Sequence, residues 1–348
     1  MNARRVTWLL VAGILVIAFA IWLSSLRHLE RATLSGDLVL PGLEHGLNNV
    51  SEVRLRKADA MHVTLKKADT GGWFVGERDW PAQVGKVRKL LLDLDALNVV
   101  EEKTRLPANY PALGVEDLSS PKAAGTEITV VSPAQKWTLI VGKPSGGKSG
   151  YVRVAGAEKS LLAAPLLMPN ADPKSWLEPA LIDLPPERLR EIEEHPAEGP
   201  AYGAARQKKD DPHFNITPLP KGREPSGAGA ADSLAAALSG LTLEDVVRAA
   251  AAGAPPGPRA LFRTFDDLEV EVIGRKDGAR SLVTLTARAS QPAAQAEAQR
   301  LQSHLSGWEF EVPDYKYAAI FPPVTALLKP LPTPQKKSPV APPLPKPR

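Results

Sequence analysis

A chain of 348 residues has room for two ordinary domains, each burying its own core. It contains no cysteine, which removes disulfides, thiol catalysis and thiolate metal sites together, and its 43 Lys+Arg against 39 Asp+Glu leave a net charge of only +4, too balanced for an extended nucleic-acid footprint. Proline, at 34 copies, runs at about twice its usual share and announces many broken connections.

The first element is apolar. From Val6 to Leu26 no residue is charged, a length that crosses the hydrocarbon core of a bilayer as a helix. Trp8 and Trp22 sit near its two ends, where indole rings prefer the headgroup zone, and Arg4 and Arg5 precede it. A cleavable signal has a shorter apolar region with a small-x-small site after it, and none follows this run before Arg27, so the segment reads as an uncleaved signal-anchor over 6–26. Arg27 and Arg31 compete with the leading arginines for the cytoplasmic side, but the five-residue tail places the N-terminus there. The expectation is a single-pass protein of the inner membrane with its body in the periplasm.

Beyond a connector over 27–49 the pattern changes to alternation, the mark of strands with one buried face. Val50 to Lys57, Met61 to Lys67 and Trp73 to Gly76 predict an antiparallel meander. Trp80-Pro81 predicts the opening of a helix with Val84, Val87, Leu90, Leu91, Leu94 and Leu97 on one face. Strands follow at Thr126 to Ser132, Lys136 to Gly142 and Gly150 to Ala155, closing a first lobe over 50–168.

A second lobe over 175–329 repeats this plan loosely. Val50-x-x-Val53 is echoed by Leu189-x-x-Ile192, and the helix exit Leu94-x-x-Leu97-x-Val99 by Leu238-x-x-Leu241-x-Leu243. Ile128-x-Val130 answers to Leu268-x-Val270-x-Val272, and Gly150-Tyr-Val-Arg-Val to Gly307-Trp-Glu-Phe-Glu-Val. The fold class expected is α+β: one N-terminal transmembrane helix and a two-lobed body of mostly antiparallel sheets with covering helices, related by a weak internal repeat. Inserts from Gly222 and Ala251 read as exposed loops, and 330–348, with eight prolines and four basic residues, as a disordered tail whose Pro339-Val-Ala-Pro342 offers a polyproline II ligand.

One motif competes with this picture. Gly142-Lys-Pro-Ser-Gly-Gly147-Lys148-Ser149 fits the phosphate-binding loop, in which Lys148 would reach the phosphates and Ser149 the magnesium. That chemistry needs the loop to open a helix, whereas Gly150-Tyr-Val-Arg-Val reads as a strand, so the stretch predicts a hairpin and a decoy, with no cofactor and no catalytic residue assigned. Six scattered histidines offer no metal spacing. Glu193-Glu194-His195 could form an acid/base pair, and an anchored enzyme acting on envelope polymers would use Glu193, or Asp266 and Asp267. Trp73, Trp80, Trp137, Trp176 and Trp308 could line a groove, though each lies where core packing is the commoner use.

Trp73-Phe-Val with Trp80-Pro81-Ala, Tyr110-x-x-Leu113-Gly114-Val115 followed by Glu116-Asp117-Leu118, Leu139-x-Val141-Gly142-Lys143 and Tyr151-Val-Arg-Val together resemble the bacterial domain of unknown function 4340. The resemblance implies an N-terminal span, an extracytoplasmic α+β region and association with auxiliary or membrane subunits of gliding-motility-type ABC transporters. It brings no catalytic residues.

Overall fold

The computed structural model describes residues 36–69, 71–249 and 257–331. The expected span 6–26 and nearly all of the proline-rich tail lie outside them, as does most of the insert from Ala251. Among the described residues no helix is long and apolar enough to cross a membrane. The chain is α+β with mostly antiparallel sheets and few helices, and it divides into two compact units between Glu178 and Pro179.

In the first unit β1 (Glu52–Arg56), β2 (His62–Lys67) and β3 (Trp73–Val75) form the meander read from alternation, and β4 (Trp80–Pro81) adds a fourth strand to it. Helix α1 (Val84–Asp95) then carries the chain to β5 (Asn98–Glu102), and a single helical turn, α2 (Tyr110–Leu113), precedes β6 (Thr126–Val131), β7 (Lys136–Pro144), β8 (Gly150–Val154) and β9 (Ser160–Ala164). Spatially the order is β4-β3-β2-β1-β6-β7-β8-β9-β5. The register puts Val63, Leu55, Ile128 and Leu139 in one cross-strand row, with Leu65, Val53, Val130 and Trp137 beside it, all buried. Each such side chain contributes roughly 1.5–3 kcal/mol of burial.

Four local expectations are corrected. Trp80-Pro81 does not open the helix but pairs with β3, because the Trp80 indole is buried and donates to the Glu178 carbonyl, holding the backbone extended. Val84 is exposed rather than on the buried face, which consists of Val87, Leu90, Leu91 and Leu94. From Leu38 onward the expected connector 27–49 belongs to the unit: Leu38 bridges Asn98, and Val39, Leu40 and Leu43 are buried. The unit also continues past Met168, since Trp176 and Leu177 are buried and Gln83 accepts no cap but donates its amide to the Leu177 carbonyl.

The second unit opens with β10 (Ala180–Ile182), then β11 (Leu189–His195), β12 (Tyr202–Ala205), β13 (Asn215–Thr217) and β14 (Arg223–Pro225). A turn of helix, α3 (Asp232–Ala235), leads through β15 (Leu241–Thr242) to β16 (Asp245–Arg248). Then come β17 (Arg259–Thr264), β18 (Leu268–Asp277), β19 (Arg280–Ala289), α4 (Pro292–Leu305), β20 (Trp308–Glu311), α5 (Asp314–Ile320), α6 (Val324–Leu327) and β21 (Leu328–Pro330). Its large sheet runs β13-β12-β11-β17-β18-β19-β20-β16.

The two orders take the same steps: a meander, a helical crossover to the far edge, then four strands filling inward. The pairwise matches read from sequence need correction. Val53 and Ile192 do share the first strand of their sheets, but Ile128 and Val130 lie on the first filling strand and Leu268 to Val272 on the second, so the last two matches are one strand out of step. The missing strand is β17, whose short run follows the Pro/Gly insert. The insert from Gly222 is ordered rather than a loop, since Arg223–Pro225 pairs with Leu328–Pro330 and Ala231 is buried. That pairing also takes Pro330 out of the expected tail.

Gly142 has a packing reason to be glycine. A Cβ there would run into the Leu113 carbonyl and stand 2.8 Å from Val115 Cγ1, because the Tyr110–Val115 turn lies flat on this strand. Gly142→Ala is expected to destabilise the first unit by about 1–3 kcal/mol. Gly85→Ala, in open space on α1, should instead stabilise it by about 0.4–1 kcal/mol, and chemical unfolding of the two variants checks the contrast.

Candidate functional site

The phosphate-loop match is a β-hairpin. β7 and β8 are antiparallel, Pro144 pairs with Gly150, and the Ser145 amide donates to the Ser149 carbonyl across the turn at 3.0 Å. Gly146 and Gly147 take the left-handed conformations that close it. Lys148 and Ser149 therefore stand at the tip of a hairpin, with no helix N-terminus behind them to meet a phosphate.

Instead, the residues around Gly142 form a clamp. Gly114 ends α2 in the left-handed conformation, folding Val115 back over β7, where Tyr110, Val115 and Ile140 make a small core. Ile140 pairs with Arg153 on the neighbouring strand, so the Arg153 guanidinium lies beneath the same turn. It is buried, and it donates to the Val115 carbonyl at 2.8 Å, the Ala157 carbonyl at 3.0 Å and Asp117 Oδ1 at 2.6 Å, with its carbon 4.7 Å from the Tyr110 ring centroid. The Leu-Gly-Val-Glu-Asp motif and the Tyr-Val-Arg-Val motif are thus two halves of one contact, and its role is to hold the fold.

The carboxylates proposed from sequence do not converge. Glu193 faces outward and meets Arg263 Nη1 at 2.5 Å, and the same guanidinium reaches Glu191 and Glu269. Asp266 accepts from Arg188 at 3.0 Å, while Arg188 also grips Glu297 with both ends, at 2.8 and 2.9 Å. Burial works to raise the Asp266 carboxyl, but hydrogen bonds from Thr264 and Arg188 outweigh it and hold the group below its ordinary range. Asp267 pairs with Arg190 at 3.4 Å. Asp266, held in this way, has no proton to give near neutrality, and Glu193 and Asp267 are each turned to an arginine of their own rather than to a shared site.

A cluster that sequence reading missed joins Ser281, Lys276 and Asp314. Ser281 and Lys276 both donate to Asp314 Oδ1, the latter at 2.9 Å, and Lys276 also donates to Ser281. Those two bonds hold the Asp314 carboxyl below its usual range. With both donors spent on the one carboxylate, the cluster staples β18, β19 and α5.

Glu194 stands apart. Two residues beyond Ile192 on β11, it points inward in a row with Tyr202 and Ala260, fully buried, and neither carboxyl oxygen has a hydrogen-bond partner. The Tyr202 hydroxyl is committed to the Pro322 carbonyl at 2.8 Å. Burial pushes the Glu194 carboxyl up to about 9 and, with the Glu194 charge as a second cause, raises Tyr202 above its ordinary value. His195 faces the opposite side, so Glu194 and His195 form no acid/base pair. The five tryptophans named above are all buried, and among the described residues no group of histidines and carboxylates could hold a metal ion.

The folded chain keeps a proton on Glu194 that the unfolded chain releases above about pH 4.5, so stability is complete below that value and falls as pH rises toward 9. The loss at pH 7 is on the order of 2–4 kcal/mol. Glu194→Gln, which cannot ionise, is expected to flatten this dependence, as measured by unfolding of the second unit at pH 5, 7 and 9.

Compared with known proteins, residues 73–260 match the family described as domain of unknown function (DUF4340). No curated protein and no solved structure shows a significant match to the chain.

Proposed function

Since the chain belongs to the DUF4340 family of domains of unknown function, we propose that it is a non-catalytic, single-span accessory of the cell envelope. In this reading residues 6–26 hold two related halves in the periplasm, and the body binds another envelope component, first among them an auxiliary or membrane subunit of an ABC-type transport system. The observation that carries it is the uncharged run from Val6 to Leu26, with a tryptophan near each end, set ahead of a body of two sheet-built units. The shared strand order supports descent of the halves from one duplicated unit. The arginines that hold Glu193, Asp266 and Asp267 support a binding role over acid/base chemistry. The transport partner is what the resemblance implies.

Alkaline phosphatase fused after Lys329 is expected to be active in a bacterial host, and a cytoplasm-only reporter at the same site silent. Crosslinking in the envelope followed by purification should recover a transporter subunit. Cytoplasmic signal would overturn the topology. Recovery of the chain with no envelope component would overturn the accessory role.

A further inference from the structure

The first unit carries a groove of about 360 Å³ between the end of β2 and α1. Trp73 and Leu91 form its buried lining, and Val84, Arg88 and Leu92 run along one stripe of α1 at intervals of four, with Lys67 opposite. Val84 is 42% and Leu92 52% exposed, and they flank a guanidinium that makes no hydrogen bond or ion pair among the described residues. Lys67 spends one donor on the Asn48 carbonyl at 3.0 Å and keeps the others. No acidic side chain is among the described residues that line the groove. An apolar trough with two cations and no anion complements an amphiphile with an anionic head.

The course of the chain says where such a surface lies. Leu38 bridges Asn98 and the Val39 amide donates to the Leu97 carbonyl, so the chain enters the unit just past the C-terminal end of the helix that walls the groove. Residues 27–35 separate Leu26 from Gly36, and nine residues reach at most about 30 Å. We propose that this groove docks the first unit onto the anionic phospholipid surface of the membrane, Arg88 and Lys67 on lipid phosphates and Val84 and Leu92 in the interfacial zone. The inference rests on the anchored reading above, and it turns the body from a freely tethered domain into one held in a fixed attitude.

The absence of native cysteine makes the test direct. The full chain with Leu92→Cys carrying a nitroxide is reconstituted into phosphatidylglycerol/phosphatidylcholine vesicles, with Met61→Cys, at the far end of the β1–β2 hairpin, as the reference. Dissolved oxygen should relax the Leu92 label several-fold more than a water-soluble nickel complex does, with the opposite ratio at Met61. Arg88→Glu, or vesicles of phosphatidylcholine alone, should return the Leu92 label to water. A Leu92 label that stays aqueous in anionic vesicles overturns the inference, and so does one shielded only after a protein partner is added. Alkaline extraction reports on the anchor separately: a retained chain with an aqueous Leu92 label loses the docking surface and keeps the anchor, and a chain that washes off loses both.

Discussion

Two buried guanidinium groups set what each unit can be. Arg153 gives its donors to Val115, Ala157 and Asp117, and in the second unit Arg206 gives its own to the carbonyls of Leu189, Asp211 and Pro186 at 2.8–3.1 Å. A buried arginine must satisfy a planar fork of donors, and loop carbonyls left over by the sheets supply the acceptors. Aromatic faces complete both sites: Tyr110 for Arg153, Phe214 and Phe265 for Arg206. Removing either side chain would strand one buried carbonyl, that of Val115 or of Leu189, together with two part-buried acceptors, which costs more than any one bond is worth.

The strands were legible where alternation was clean. Val53 with Leu55, Val63 with Leu65 and Ile128 with Val130 all sit on one face, as period two requires. The misreadings share a cause: tertiary contacts outvoted local preference. Trp80-Pro81 looks like a helix start until the indole finds the Glu178 carbonyl, 98 residues away. The echo at Leu238 reads as a helix exit, yet only one turn of helix precedes it, and the long helix of this unit lies at Pro292–Leu305, where its glutamines and alanines carry a weak apolar stripe.

The contrast between Glu193 and Glu194 is legible in the sequence from the period of the strand alone. On a strand where Ile192 faces the core, Glu194 must face it too, while Glu193 takes the solvent side and its arginine. What sequence could not supply is the partner set: that Arg263 serves three glutamates and Glu194 none depends on register across four strands.

The strand order also dictates a sequence of events as the chain is made. β5 and β16 take the far edges of their sheets before the strands that separate them from β1 and β11 have appeared. A chain emerging N-terminus first has β1 to β5 in hand with an open seam on each side of the gap, and β6 to β9 arrive only over the next sixty or so residues. During that interval the β1 edge is a ready template for the wrong strand. The chain thus has a window of vulnerability in its synthesis, repeated in its second half, that the finished sheets no longer display.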